Sequence, residues 1–294
     1  MPVPETPDRG RHRISRRLTL SATLCLATIG TVTFSTASPA ARSVEAGGSL
    51  VVEQRKSRLR GRNVELVYLL PRRTPPRGMP MVVLLHGRHS RARLAAPGGL
   101  VPALARAVDG GRVPPFGFVA VDGGNTYWHE HHHGDDPMGM LLEEVPEWLR
   151  SHDLGGDDGT PFAAAGTSMG GFGALLYARR RAERQTPVRA VAALAPALMP
   201  WREMRRRRAW HSRADWASMD PLRHVHTLRG TPTGIWCGTE DPFIDGARSY
   251  IRRADPEVAH LAPGGHTGEF FSSTVPGLLA FLARHCPEQV WQRS

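Results

Sequence analysis

The chain lacks the sequence patterns of several common protein classes. It has three cysteines among 294 residues, so neither a disulfide-dense scaffold nor a zinc finger is predicted. No internal repeat is visible, and beyond the first 41 residues no apolar run is long enough to cross a membrane. There is also no RNA-binding motif and no aromatic stripe interleaved with lysine. These absences argue against a repeat architecture and against nucleic-acid binding.

The formal net charge of +11 would ordinarily suggest a polyanionic partner, but its distribution weakens that interpretation. About +3 of it comes from arginines in the first 20 residues, and most of the remainder is spread widely. One dense run of arginine occupies residues 205–208. Such a run favours a solvated surface, and the alternative is a basic lid that attracts anionic substrates or an anionic envelope surface.

Residues 1–41 have the order of features found in an export signal peptide. A basic segment ends in Arg16 and Arg17, an apolar stretch covers residues 18–34, and small residues follow at 37–41. This order predicts cleavage between Ala37 and Arg42, and the paired arginines resemble a bacterial twin-arginine signal. A membrane anchor is the alternative, although an apolar stretch of about 17 residues is short for one. The mature protein is therefore predicted to be extracellular or associated with the cell envelope.

Two cysteines remain after such a cleavage. An oxidising compartment would allow Cys237 and Cys286 to pair, but the sequence does not place their Cα atoms within bonding distance. A disulfide and two free thiols therefore both stay open at this point.

Apolar and amphipathic segments alternate along the rest of the chain. The predicted strands span residues 49–53, 63–70, 81–85, 116–121, 162–165, 188–194, 231–237 and 258–262, and the predicted helices span residues 138–150, 172–184 and 276–284. The first two strands are expected to form an antiparallel edge pair, and the later alternation is typical of βαβ units. We therefore predict an α/β fold in one domain, residues 48–294, with a mostly parallel sheet flanked by helices. Residues 196–230 interrupt the alternation and predict a lid-like insertion.

Gly166, Ser168 and Gly170 match the G-x-S-x-G nucleophile elbow, between a short strand and a helix. The turn is tight enough to crowd side chains on either side of the serine, and glycine relieves that crowding. Ser168 is the predicted nucleophile.

A serine hydroxyl needs a base to take its proton and an acid to orient that base. Asp241 follows an apolar strand, and His266 lies on a glycine-rich loop after the next one, which gives the order serine, acid, histidine. Glu240 and Asp245 are rivals for the acid position. His260 lies within a predicted strand and is expected to be a core or edge residue.

An oxyanion formed at Ser168 also needs two backbone donors. One is predicted to be the Met169 N–H, directly after the nucleophile. The other is predicted to come from the loop after residue 85, from the Arg88 backbone or alternatively from Gly87.

These motifs resemble the putative-esterase family of secreted α/β-hydrolases, which includes S-formylglutathione hydrolases, feruloyl and acetylxylan esterases and mycolyltransferases. The matching segments are His86-Gly87, Tyr127-Trp128 with residues 134–136, the elbow 166–171, residues 238–243 and Gly265-His266. The resemblance implies an α/β-hydrolase fold and carboxylic ester hydrolysis or acyl transfer by Ser168, Asp241 and His266, without a cofactor.

The segment from Trp128 to Asp136 is rich in histidine and carboxylates. Its spacing is not that of a helix-borne metal site, so no metal is predicted. Because it follows a strand of the expected sheet, it is predicted to form a polar rim of the active site, with Trp128, His129 and Asp136 as candidate substrate-binding residues.

Three functions remain open on sequence alone. The leading hypothesis is a secreted serine esterase that acts on small-molecule or envelope esters through an acyl-enzyme. The second is an envelope acyltransferase with the same triad, and the third is a binding protein on a hydrolase scaffold.

Overall fold

Six parallel strands form the centre of the sheet in the computed structural model, which describes residues 41–43 and 47–288. Within these residues the strands are β1 (Ala41–Ser43), β2 (Ser49–Ser57), β3 (Arg62–Leu70), β4 (Met81–Leu85), β5 (Gly117–Val121), β6 (Ala163–Thr167), β7 (Ala190–Leu194), β8 (Thr233–Gly238) and β9 (Val258–Ala262). Their order in the sheet is β1-β2-β3-β5-β4-β6-β7-β8-β9. The pairs from β5 to β9 are parallel, and β1, β2 and β3 join antiparallel at one side. The predicted α/β fold with a mostly parallel sheet is confirmed.

Helices cover both faces of this sheet. They are α1 (Leu100–Asp109), α2 (Pro137–Gly139), α3 (Val145–Arg150), α4 (Met169–Glu183), α5 (Trp201–Met204), α6 (Arg213–Met219), α7 (Ile244–Ala254), α8 (Gly268–Ser273) and α9 (Val275–Arg284). Because side chains alternate along a strand, Val83 and Leu85 of β4 enter the core beneath α4, whereas Val82 and Leu84 enter the core beneath α1 and α9. Burial on both faces explains why β4 is an uninterrupted apolar run.

The element boundaries differ from the sequence predictions where local chemistry is unusual. The helix predicted for residues 138–150 contains a π-helical turn at Met140–Glu144 and then restarts as α3. Pro146 lies in the first turn of α3, and its ring nitrogen has no proton to continue the α-helical hydrogen-bond pattern. Helix α4 begins at Met169, three residues before its predicted start, through glycines with little intrinsic helix propensity.

The predicted antiparallel pair forms, but it is not the edge of the sheet. Strand β1 lies outside β2, with Ala41 opposite Val52, and β3 pairs antiparallel with β5. Strand β1 also precedes the predicted domain start at residue 48. The first 40 residues of the predicted signal peptide lie outside the described residues.

The predicted insertion, residues 196–230, consists of short helices in the structure. It contains α5, the 3-10 turn Arg205–Arg207, α6 and the 3-10 turn Val225–Leu228. Trp216 and Met219 of α6 are buried, so the segment packs onto the core on one side. No helix of the described residues is sufficiently long and apolar to span a membrane.

Candidate active site

Ser168 occupies the turn between β6 and α4. Its backbone has φ 59° and ψ −117°, a conformation that L-residues seldom adopt and that neighbouring contacts must maintain. The Ser168 N–H donates to the Leu194 carbonyl at 2.8 Å, and the Ser168 carbonyl accepts from Phe172 at 3.1 Å. The sequence-predicted strand, tight turn and helix are therefore present around this serine.

Glycine is required around Ser168 because backbone segments approach it closely. A Cβ atom at Gly166 would collide with the Gly170 carbonyl, and one at Gly170 would collide with the Leu85 carbonyl. A Cβ atom at Gly171 would lie 3.0 Å from the Cα atom of Pro196. The small residues thus let the turn pack against the carboxyl ends of β4 and β7.

The structure brings Asp241 and His266 together. The His266 Nδ1–H donates to Asp241 Oδ2 at 2.6 Å, and the other carboxylate oxygen accepts the Phe243 N–H at 2.8 Å. The Asp241 side chain has no exposed surface, whereas that of His266 is 28% exposed. A hydrogen bond at Nδ1 leaves Nε2 of the neutral imidazole without a proton, so this nitrogen can accept one.

The surroundings of the pair restrict the position of the imidazole. Phe243 and Phe271 pack edge-on against the His266 ring, each with a centroid distance of 5.1 Å. The Glu240 N–H donates to the Gly264 carbonyl at 3.0 Å, which joins the loop of the acid to the loop of the histidine. The ring is therefore held by packing as well as by Asp241.

The rival carboxylates point elsewhere. Glu240 is exposed, and the Asp245 side chain is 97% exposed and lies 3.9 Å from Arg248. His260 is an exposed residue of β9, the edge strand of the sheet, in agreement with its predicted position at a core or edge site.

Ser168 and His266 line one cavity of about 270 Å³. Part of its wall is apolar and comes from the loop between β4 and α1 and from α8; those residues are Leu94, Ala95, Ala96, Pro97 and Phe271. Leu94 is 63% exposed, so an apolar side chain is accessible to solvent at this wall. The volume falls below the usual range for drug-sized ligands and suits a small group.

The loop after β4 holds the other predicted oxyanion residues. Gly87 and Arg88 line the same cavity as Ser168, and the Gly87 carbonyl lies 2.7 Å from His86 Nδ1. Since His86 Nε2 accepts the Gly123 N–H at 2.9 Å, the proton of the neutral ring is on Nδ1. Burial lowers the pKa of His86, which favours this neutral form. In a trans peptide the N–H is antiparallel to the C=O, so His86 also fixes the direction of the Arg88 N–H.

Trp128 supports this loop from inside the molecule. Its Nε1–H donates to the His86 carbonyl at 3.3 Å, and its ring packs edge-on against the His86 ring at 4.9 Å. The indole occupies a slot between Gly123 and Gly173, where a Cβ atom on either glycine would overlap it. These contacts of His86 and Trp128 did not emerge from the sequence, although His86-Gly87 and Trp128 were both noted as motif positions.

The three predicted substrate-binding residues do not line the cavity with Ser168. Trp128 and His129 are fully buried, and His129 Nε2 lies 2.6 Å from the Ala209 carbonyl. Burial, the largest cause, lowers the pKa of His129 to about 3, so the ring is neutral. Asp136 caps α2 by accepting the Gly139 N–H at 2.6 Å. Each of these residues therefore has a structural contact in place of the expected position on a rim.

Neither a metal cluster nor a disulfide is found within the described residues. No three histidine, cysteine or carboxylate side chains there are arranged to hold a metal ion. Cys237 is buried and Cys286 is half-buried, and both are free thiols. Burial raises the pKa of each to about 12, which makes them poor nucleophiles.

Comparisons with known proteins agree with this fold. The family described as "Putative esterase" matches residues 57–246. No curated protein matches the chain. Similar solved structures include a ferulic acid esterase with 21% identity and a TM-score of 0.68, covering 82% of this chain and 99% of that one. An S-formylglutathione hydrolase from Agrobacterium tumefaciens has 18% identity and a TM-score of 0.65, covering 84% and 99%. The Mycobacterium tuberculosis protein MPT51 (FbpC1) has 15% identity and a TM-score of 0.60, covering 80% and 99%.

Proposed function

The chain belongs to the Putative esterase family and is a carboxylic ester hydrolase, and from that premise we propose that it cleaves esters in two steps through an acyl-enzyme on Ser168. The observation that carries this proposal is the 2.6 Å hydrogen bond between His266 and Asp241 at a cavity that Ser168 shares. Serine acyl transfer requires a serine and an oriented imidazole that face one site, and this proposal is supported by the fact that Ser168 and His266 line the same cavity.

In the first step, Ser168 Oγ attacks the ester carbonyl carbon while His266 Nε2 accepts the hydroxyl proton. The tetrahedral intermediate collapses, the alcohol leaves with that proton, and the acyl group remains on Ser168. In the second step a water molecule loses a proton to Nε2 and attacks the acyl-enzyme, which releases the acid and restores Ser168. Asp241 stays ionised throughout and stabilises the imidazolium.

The oxyanion of both steps would be held by the backbone N–H groups of Met169 and Arg88. Met169 is the first residue of α4, and N–H groups in the first turn of a helix have no acceptor within that helix. The Arg88 N–H is directed by the hydrogen bond between His86 and the Gly87 carbonyl. In this proposal the two donors come from different segments, the start of α4 and the loop after β4, and both are directed at the position of the developing oxyanion.

Kinetics on 4-nitrophenyl esters from acetate to palmitate, run beside Ser168→Ala, test this mechanism. We expect short acyl chains to be preferred because the cavity is small, and we expect Ser168→Ala to lose a factor of about a thousand or more in kcat. A fluorophosphonate should label wild type once, at Ser168. Equal rates in the variant would overturn the proposal, and absence of both turnover and labelling would favour a binding protein.

We also propose that the protein is exported, on the basis of the basic, apolar and small-residue segments in residues 1–41. Replacing Arg16 and Arg17 with lysine should keep the full-length chain in the cytoplasm of a bacterial host, because twin-arginine export depends on that pair. Equal secretion of the variant and wild type would contradict the twin-arginine route.

A further inference from the structure

Three buried hydrogen-bond donors, one on the loop after β4 and two in the insertion, have no acceptor within the part of the chain that the structure describes. The Nε atoms of Arg88 and Arg207 and the Nε1 atom of Trp210 are removed from solvent and have no hydrogen-bond partner among the described residues. All three are N–H groups that donate and cannot accept. A buried donor without an acceptor destabilises the folded protein. Three such donors therefore favour binding of a ligand that supplies acceptor oxygens.

These donors lie around one aromatic residue, Tyr127, which packs against Phe172 in the first turn of α4. The Trp210 ring lies 4.7 Å from the Tyr127 ring, and the Tyr127 ring lies 5.4 Å from that of Phe172. The Phe172 N–H in turn donates to the Ser168 carbonyl. Arg207 is three residues before Trp210, and Arg88 lines the cavity with Ser168. We refer to Arg88, Tyr127, Arg207 and Trp210 as the Tyr127 cluster.

The two arginines of the cluster have no neutralising carboxylate partner within the described residues. Burial raises the pKa of the Tyr127 hydroxyl, while Arg207 and Arg88 both act to lower it. Because the net shift is upward, the hydroxyl is uncharged near neutral pH and supplies no counter-charge. Arg88 is hydrogen-bonded to His89, and neither arginine of the cluster has an ion pair among the described residues.

We propose that the natural substrate is an ester with an anionic group, a carboxylate or a phosphate, which binds to Arg88, Arg207 and the Trp210 N–H. This inference rests on the proposed function and specifies its substrate class. Guanidinium groups match the oxygens of both anions, and the indole N–H adds a third donor. Because Arg88 lines the 270 Å³ cavity and Arg207 does not, we place the anion at the edge of that cavity next to Arg88, with the other part of the ester inside it.

Two pairs of esters test the charge on either side of the scissile bond. The first pair is 4-acetoxybenzoate and its methyl ester, with 4-acetoxyphenyl phosphate as a further arm that distinguishes a phosphate from a carboxylate. The second pair is 4-nitrophenyl hemisuccinate and 4-nitrophenyl methyl succinate. We expect kcat/KM to favour the anionic member of at least one pair by about tenfold or more.

Variants then assign that preference to the cluster. Arg207→Gln and Trp210→Phe should each lower the anionic-to-neutral ratio of kcat/KM severalfold. Arg206→Gln is the matched control, because it removes the same charge from an exposed neighbour, and it should leave the ratio unchanged. No preference for either anion in wild type, or an equal effect of Arg206→Gln, would overturn the inference.

A binding measurement separates this inference from the proposed chemistry. Calorimetric titration of 4-acetoxybenzoate into Ser168→Ala and into Ser168→Ala with Arg207→Gln reports on the anion site without turnover. Weaker binding to the double variant supports the site even where ester hydrolysis by wild type is absent. Equal binding to both variants contradicts it even where neutral esters are hydrolysed.

Discussion

The proposed nucleophile and the aromatic pair that supports the oxyanion loop share an unusual backbone conformation. Ser168, Tyr127 and Trp128 have φ values of 59°, 54° and 66°, although none is glycine. The Thr126 hydroxyl donates to the Gly123 carbonyl and accepts from the Trp128 N–H, which holds the aromatic pair in this conformation. Such conformations persist only where surrounding contacts maintain them, and here those contacts direct the Trp128 indole toward His86.

Replacing Trp128 with phenylalanine tests the role of that indole. The change keeps an aromatic ring but removes the Nε1–H that binds the His86 carbonyl, so the Arg88 N–H loses part of its support. We expect kcat on 4-nitrophenyl acetate to fall about tenfold, below the loss for removing an oxyanion donor outright, with KM less affected. Trp216→Phe is the control, because it makes the same change at a buried indole whose Nε1–H has no acceptor within the described residues. A kcat within twofold of wild type would argue against the positioning role.

Asp241→Asn tests the assignment of the acid. An amide at this position can donate its N–H to Nδ1, which favours the tautomer protonated on Nε2, so His266 cannot accept the serine proton and kcat should fall by roughly a factor of ten thousand. Asp245→Asn removes a carboxylate from an exposed position nearby and should have little effect. Steady-state rates of the two variants measured together decide between the carboxylates, and a comparable loss in both would contradict the assignment.

Among the helices and loops, histidines connect the insertion to the segment after β5. His129 bonds the Ala209 carbonyl, His131 Nδ1 lies 2.6 Å from Asp215 Oδ1, and His211 Nε2 lies 2.6 Å from the His131 carbonyl. None of the residues 196–230 lines the cavity with Ser168. The histidine-rich segment therefore serves to attach the insertion, which includes Arg207 and Trp210, to the loop after β5.

Asp220 at the end of α6 predicts a pH-dependent stability. Burial raises its pKa to about 6, above the value of an unfolded chain. Between about pH 4 and pH 6 the folded state therefore binds more protons at this site than the unfolded state, so the contribution of Asp220 to stability falls as pH rises. Asp220→Asn should raise Tm at pH 7.5 more than at pH 5. Thermal melts at both values, with Asp245→Asn as the exposed control, measure this, and equal shifts at both pH values would contradict it.

At the scale of the whole molecule, the fold is held by its core without a cross-link in the described residues. Both faces of the sheet are covered, and Cys237 and Cys286 are free. Iodoacetamide added to the denatured, unreduced protein should therefore label Cys237 and Cys286, and dithiothreitol should not change Tm. Protection of both cysteines from alkylation before reduction would show that they pair.

The fold and the order of the site residues could be predicted because their signals are local. Buried parallel strands are apolar runs, as in β4, and the elbow needs glycine at defined positions. The contacts that support the oxyanion loop could not be predicted, since His86, Gly123 and Trp128 meet only when β4 and β5 are adjacent. The sequence patterns also did not predict helices α1 and α7. The expected exposure of Trp128 and His129 rested on their place after a strand, which does not determine whether a loop turns inward.

The position of strand β9 predicts how esterase activity is lost under mild heat or denaturant. It is the edge strand beside β8, and its three central residues are exposed, so little apolar burial holds it in place. The loop that carries His266 follows it directly. Local opening at this edge would separate the base from Ser168 while the remaining strands stay paired. Mild heat or denaturant should therefore abolish esterase activity before the circular dichroism of the sheet changes, and the loss should reverse on cooling or on dilution of the denaturant.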